Sequence, residues 1–364
     1  MIGVDDDNAY LVDVFRVVGG QDHVFSFHAA EGPATASGLH LVAQPTGTYA
    51  GADVPMPARR AKPTDWYSSG FQWLDQVSRD TDPSGPFSVD WAIKDTWQAD
   101  PVDPGAHLRI TVLGDADDVA LANGYPPQNN PKNPKNLRYL LMHRATTQAS
   151  LASQFVSVIE PYSGHRVVEA IEAVPTKRLR GTVAAHEVSA VKITLTDGRV
   201  DYVVSCARPD ATLLVDRAFV FSGSFGVFTL RHGRPVYAFG HDATEVGPVP
   251  AMKCGAASVH GTVAGFTREL SADNELVLSV PGSVADPQGL VGATVYVDND
   301  GVRNAAYLIA SASFDRRRRR LVLGLADQTT IRSYVDQNDF TKGYVYDLAV
   351  GAAARIPLTT EWGH

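Results

Sequence analysis

The sequence predicts an all-β protein: a large antiparallel β-sandwich followed by a smaller β module. Three observations carry this. Apolar and polar residues alternate with period two along many short stretches, as in Phe87, Val89, Trp91 and Ile93. Glycine (31) and proline (22) are plentiful and fall between those stretches, where turns are needed. No segment sustains an apolar stripe at the helical period; the best short helix candidate is the run 145–151.

The stretch from Tyr10 to Gly32 sets the pattern. It reads as two extended strands joined at Gly19-Gly20, with Leu11, Phe15 and Val17 before the turn and Val24, Phe25 and Phe27 after it. Glycine enters positive-φ conformations at little cost, so Gly-Gly between alternating runs predicts a β-hairpin. A short strand is expected at 39–42. Residues 45–86 are dominated by Pro, Gly, Ser, Thr and Asp and predict one long loop, within which Trp66, Tyr67, Phe71 and Trp73 cluster. Strands follow at 87–94 and 107–113. The run 124–135 excludes regular structure, because proline lacks an amide donor and restricts the residue before it. Strands resume at 137–144 and 153–160, the second expected to end in a turn at Pro161-Tyr-Ser-Gly164. From 165 the spacing predicts an antiparallel meander, with strands at 165–173, 183–195, 200–207 and 218–230. The composition breaks at Gly247-Pro-Val-Pro250, dividing the chain into domains of residues 1–247 and 248–364. The second is expected to hold strands at 258–266, 275–280, 294–299, 306–314, 321–325 and 344–346.

With 364 residues, 44% hydrophobic and 20% charged, the chain can bury a core of useful size. A formal charge of −8 argues against a nucleic-acid partner held by overall basicity. The exception is five consecutive arginines, 316 to 320, which read as a solvated hairpin tip or as a contact for a polyanion. Two cysteines, Cys206 and Cys254, are too few for a disulfide-stapled scaffold; two buried thiols are expected, with one disulfide the alternative. No stretch approaches the roughly 20 apolar residues that span a bilayer, and no membrane partner is expected. The acidic start, Met1-Ile-Gly-Val-Asp-Asp-Asp-Asn8, lacks the basic-then-apolar pattern of a signal peptide.

Chemistry-bearing residues are scattered. His23 and His28 lie five apart, which on a strand puts them on opposite faces, so a shared metal ion is not expected. Each reads as a hydrogen-bonded structural histidine, with a sugar groove the alternative for His28; Arg16 lies on the strand before them. Trp66, Trp73 and Trp91 either plug the core or stack on the apolar faces of sugar rings. Glu160-Pro161-Tyr162 invites an acid–base reading, with Tyr162 beside His143 or Arg144; the plainer reading is a turn that buries the ring. His241-Asp242 suggests an oriented imidazole, but neighbours on a strand point apart. Asp298-Asn-Asp-Gly301 suggests calcium and is explained more simply as a type I′ turn. No nucleophile elbow, phosphate-cradling loop, Cys-x-x-Cys pair or EF-type loop occurs, so no catalytic residue, metal site or cofactor is assigned within this chain.

Several of these segments resemble a known family. Asp13-Val-Phe-Arg-Val-x-Gly-Gly-x-x-His23, Arg138-Tyr-Leu-Leu-Met-His-Arg144 and Leu151-x-Ser-x-Phe-Val-Ser-Val-Ile-Glu-Pro-Tyr162 are similar to the β-rich C-terminal half of heparinase II/III-like polysaccharide lyases. Gly292-Ala-Thr-Val-Tyr-Val-Asp-Asn-Asp300 with Tyr307-Leu-Ile309 is similar to the terminal β module of the larger members. The resemblance implies an α/α toroid followed by a β-sandwich, acting on an acidic, uronate-containing polysaccharide by β-elimination: a base takes the C5 proton, a neutralising group holds the carboxylate, and the 4-O bond breaks. The toroid that supplies the base, and the motifs of the family's metal site, have no counterpart in this sequence. The expectation is therefore a β portion that shapes the polysaccharide groove and leans on a separate toroid domain or chain. The alternative is a noncatalytic carbohydrate-binding or assembly protein.

Overall fold

The computed structural model describes residues 1–57, 70–94, 96, 105–247 and 256–363. Among them the regular structure is β-strand, with a few short 3-10 turns and no α-helix, so none is long and apolar enough to cross a membrane. The chain forms two compact units, each discontinuous in sequence. The expected break at 248–250 falls outside the described residues.

The first unit comprises Met1–Thr176, Val183–Ala207 and Thr229–Arg234. Its strands are β1 (Ile2–Gly3), β2 (Ala9–Val18), β3 (Asp22–His28), β4 (Ala34–Ser37), β5 (Val42–Ala43), β6 (Asp75–Asp80), β7 (Phe87–Ala92), β8 (Ala106–Val112), β9 (Asp118–Gly124), β10 (Leu137–Ala145) and β11 (Ala152–Ser163). They build a six-stranded sheet in the order β1-β2-β11-β8-β7-β4 and a five-stranded sheet in the order β3-β10-β9-β6-β5. The two sheets share one core. Val89, Trp91 and Ile110 from the first meet Val119, Leu121 and Leu140 from the second, all nearly or wholly inaccessible.

The segment around Gly19-Gly20 is not a hairpin. β2 pairs with β11 and β3 pairs with β10, so the chain crosses at the glycines from one sheet to the other. Phe15 of β2 and Phe25 of β3 meet across the layers at 6.2 Å. The run 145–151, the best short helix candidate in the sequence, is a second crossing of the same kind, from β10 to β11. The two crossings are hydrogen-bonded to each other: Gly19 N donates to Leu151 O (2.9 Å), Leu151 N to Gly20 O (2.8 Å) and Thr146 N to Gln21 O (2.9 Å). Gly20 takes φ +70°, a conformation that a side chain resists.

Several strands escaped the sequence, β6 and β9 among them. β6 lies inside the expected loop 45–86; its Asp75-Gln-Val-Ser-Arg-Asp80 offers one apolar residue, Val77, to the core. β9 is buried from Val119 to Gly124, covered on both faces, so it has no alternation to detect. Its second face meets Tyr49, Val77 and Leu141 beneath the loop.

The outer face of the six-stranded sheet carries a further layer. β12 (Val168–Ala173), β14 (Val188–Leu195) and β15 (Arg199–Cys206) pair antiparallel in that order, while β13 (Thr176–Arg180) leads out of the unit. Tyr10 and Arg16 reach this layer from one face of β2. Tyr10 Oη donates to Asp201 Oδ2 (2.7 Å). Arg16 donates to His186 O, Ser205 Oγ and Ser205 O at 3.0–3.1 Å. Asp201 is wholly buried and also accepts from Thr229 Oγ1 (2.6 Å) and Arg199 Nε (3.0 Å), so its charge is fully met. Cys206 is buried in this layer, and Cys254 lies outside the described residues.

The second unit comprises Lys177–Thr182, Arg208–Phe228 and Pro235–His364. Its main sheet has seven strands, ordered Ala306–Leu308, Thr294–Val297, Ala353–Pro357, Ser258–Phe266, Asn274–Ser279, Arg320–Ala326 and Ser311–Asp315. Leu276, Leu278, Val295, Leu321, Leu323 and Ile356 fill its core. The 306–314 run is two strands, interrupted at Ile309-Ala310.

The crossings explain His23. It is buried, with Nδ1 2.9 Å from Ser153 Oγ and Nε2 2.5 Å from Gly19 O. A carbonyl only accepts, so Nε2–H donates to Gly19 and the Ser153 hydroxyl donates to Nδ1. His23→Ala should orphan both groups and lower the unfolding free energy by about 2–3 kcal/mol in urea titration, with little change in m.

Candidate functional site

The candidate residues are dispersed. His23 is consumed by the crossing. Arg16 is consumed by the outer layer, and burial lowers its pKa. Trp91 is fully buried between the sheets, its Nε1 donating to Arg138 O (3.0 Å), so it is a core residue and no sugar platform. Trp66 lies outside the described residues. Of the candidates, Trp73 and His28 converge on one place.

That place is an aromatic groove at one end of the five-stranded sheet. It is a cavity of about 1220 Å³ lined by Phe71, Trp73, Leu74, Tyr125, Leu137 and Tyr139, with Met56, Pro126 and Pro127 at its rim. Strand geometry explains the convergence. Leu137 and Tyr139 are alternate residues of β10, so both side chains leave the same face. Trp73 comes from the 3-10 turn Phe71–Trp73, whose entry at Gly70 has φ +84°. Gly124, at the end of β9, makes room: a Cβ there would stand 2.5 Å from the Tyr139 ring and 3.0 Å from Leu74. His28 packs against Tyr139 with ring centroids 4.6 Å apart, while its Nδ1 meets Ala29 O at 2.9 Å. It therefore braces a groove ring.

Polar groups border the rings. Tyr125 is 45% exposed and held in place by donating to Asp75 Oδ1 (2.7 Å). Arg138 Nη1 donates to Gln76 O (2.7 Å) and Asn123 Oδ1 (3.0 Å). These three residues and Lys94, Glu31 and Asn136 line a neighbouring cavity of about 670 Å³. Flat apolar rings beside fixed hydrogen-bonding groups can take a ligand that presents both, such as a pyranose with its axial C–H face and equatorial hydroxyls. Tyr125 and Tyr139 were not singled out in the sequence. The signal available was a tyrosine at each end of the Pro- and Asn-rich run, next to a strand.

Tyr162 lies elsewhere. β11 continues through Glu160-Pro161-Tyr162 without the expected turn, and Tyr162 pairs across the sheet with His107. Its ring stacks on His107 at 4.9 Å, and its hydroxyl donates to Asp90 Oδ2 (2.7 Å). His107 Nδ1 stands 2.6 Å from Asp90 Oδ1, and Arg109 donates to Ser88 Oγ (2.5 Å). Burial pushes the Tyr162 hydroxyl up, and the Asp90 carboxylate adds to this, to about 12. A hydroxyl so placed keeps its proton at neutral pH and is unsuited to act as a base. Burial alone would raise Asp90, but the bonds from His107 and Tyr162 and the Arg109 charge hold it below the ordinary carboxylate range.

His143 and Arg144, which the acid–base reading would set beside Tyr162, sit on β10 of the other sheet. His143 Nδ1 meets Asp118 Oδ2 (2.7 Å) and Nε2 meets Asp22 Oδ1 (3.2 Å); Arg79 pairs with Asp118 at 2.5 Å. Glu160 is buried and pairs with Arg166 (2.7 Å). In the second unit, Asp242 is buried and turned from His241, accepting from Ser224 (2.8 Å), Ser258 and Arg355, while His241 meets Thr359 Oγ1 (3.0 Å). Asp298-Asn-Asp-Gly301 lies in a loop longer than a two-residue turn, and Asp300 is paired with Arg332 at 2.9 Å. Among the described residues no group of three or more His, Cys, Asp or Glu is arranged to hold a metal ion. No protein-family model matches the sequence, and no curated protein matches it.

Trp91→Ala should cost about 3–5 kcal/mol of stability or abolish folding, whereas Trp73→Ala should stay within about 1 kcal/mol, both read by urea unfolding. His143 gives a pH test. Burial draws its pKa down, but the bonds and charges of Asp118 and Asp22 outweigh it and the net shift is upward from 6.5. Its contribution is therefore complete below the unfolded value and fades as pH rises through the folded one. The stability difference between wild type and His143→Gln should shrink as pH rises above about 6.5, the ordinary histidine value.

Proposed function

We propose that this chain binds polysaccharide through the aromatic groove and is the β portion of a heparinase II/III-like lyase acting on a uronate-containing polysaccharide. In this reading the β-elimination is done by a separate α/α toroid domain or chain, and the present chain positions the polymer. The single observation that carries the binding role is the convergence of Trp73, Tyr125 and Tyr139 on one face, over the glycine that admits them. The lyase context rests on the sequence resemblance. The high pKa of Tyr162 supports placing the base elsewhere.

A noncatalytic carbohydrate-binding protein is the second reading, and the same groove favours it. The two differ in what happens when a toroid is present.

The test is glycan binding by wild type and by Trp73→Ala and Tyr125→Ala. Loss of one stacking ring should weaken binding about tenfold, equivalent to about 1.4 kcal/mol, with the fold intact. Unchanged binding in both variants overturns the groove. The absorbance of unsaturated uronates reports lyase activity: the chain alone should yield none from alginate, hyaluronate or heparan, and product from it places the chemistry here after all. Enhanced product when a toroid chain is added separates the lyase portion from the simple binding protein.

A further inference from the structure

The five arginines 316 to 320 occupy the tip of the hairpin between Ser311–Asp315 and Arg320–Ala326, closed by the pair Asp315–Arg320. Arg316 to Arg319 are exposed, with Arg318 82% accessible. The nearest carboxylate is largely spent on the backbone: Asp315 Oδ1 accepts from Arg317 N (2.9 Å) and Arg318 N (3.1 Å), and its contact with Arg318 Nε is 4.0 Å. Arg319 bends back to Pro281 O (3.3 Å) with φ +51°. Among the described residues no ion pair or hydrogen bond reaches the Arg316 or Arg317 guanidinium. The tip is thus held in shape by its backbone while its like charges stand side by side unneutralised.

Such a cluster raises the free energy of the chain alone and is relieved by an anion with several charged oxygens. We infer that the tip is a docking point for an acidic polysaccharide. Guanidinium forks match carboxylate and sulfate oxygens in pairs. Removing the five charges takes the formal balance of the chain from −8 to −13, so a polyanion is repelled elsewhere and held at one short place. That favours a flexible chain with spaced charges over a nucleic acid, which needs an extended basic surface. The choice of polysaccharide rests on the proposed function; the site itself does not, because the groove lies in the other unit.

The experiment compares wild type, the triple variant R316S/R317S/R318S and Trp73→Ala. Arg319 is left unchanged because of its backbone conformation. Each is titrated at low salt with alginate (carboxylate), dextran sulfate (sulfate), uncharged dextran and single-stranded DNA of matched charge. The tip inference expects wild type to bind alginate or dextran sulfate and the triple variant to bind it at least tenfold more weakly, with unfolding unchanged. The tighter of the two probes names the anion. Equal binding by the triple variant, or no binding of either probe by wild type, overturns the inference. Equal or tighter binding of DNA overturns the choice of polysaccharide. If only Trp73→Ala loses binding, the groove stands and the tip falls; if only the triple variant does, the reverse holds.

Discussion

The architecture of the first unit depends on how the chain passes between its two sheets. At Gly19-Gly20 and again at 145–151 it leaves one layer and enters the other, and the two crossings are tied edge to edge by backbone hydrogen bonds. His23 closes this junction by spanning the Gly19 carbonyl and the Ser153 hydroxyl. Everything downstream inherits its register from here. β2 must pair with β11, β3 with β10, and the aromatic residues of both strand pairs must meet between the layers. A one-residue slip would turn Phe15, Phe25 and Phe155 to the wrong faces.

The same constraint explains why so many chemically suggestive residues have structural duties. A sheet covered on both sides leaves few of its buried polar groups without a partner. Tyr10, Asp201, Arg199 and Thr229 form one closed set, and Arg16 another. Glu160 is met by Arg166, and His143 is held between two aspartates. Each looks like machinery in isolation and is a paired group once its neighbours are known. In the Asp90 cluster the proton on Tyr162 is held too tightly for base chemistry at neutral pH.

The groove is different because Trp73, Tyr125 and Tyr139 line an open cavity. Gly124 leaves space under Tyr139, His28 props that ring from behind, and Tyr125 stands nearly half exposed, fixed only at its hydroxyl. Rigid, partly exposed aromatic faces beside fixed donors and acceptors suit a ligand that is flat on one side and hydroxylated at its rim.

All-β character and many strand positions were written in local alternation and turn residues, because these depend only on neighbours in sequence. The same local signals were silent or misleading where partners decided. Gly-Gly bends a chain equally well within a sheet or between sheets, so the hairpin and the crossing have one sequence signature. β9 lost its alternation because both its faces are buried, and β6 hid in a polar run with a single inward valine. The separation of Trp91, sealed in the core, from Trp73, open to the groove, was decided by which layer lies against each ring. Residue type and spacing are properties of the chain; burial and hydrogen-bond partners are properties of surfaces brought together, and only the folded molecule contains them.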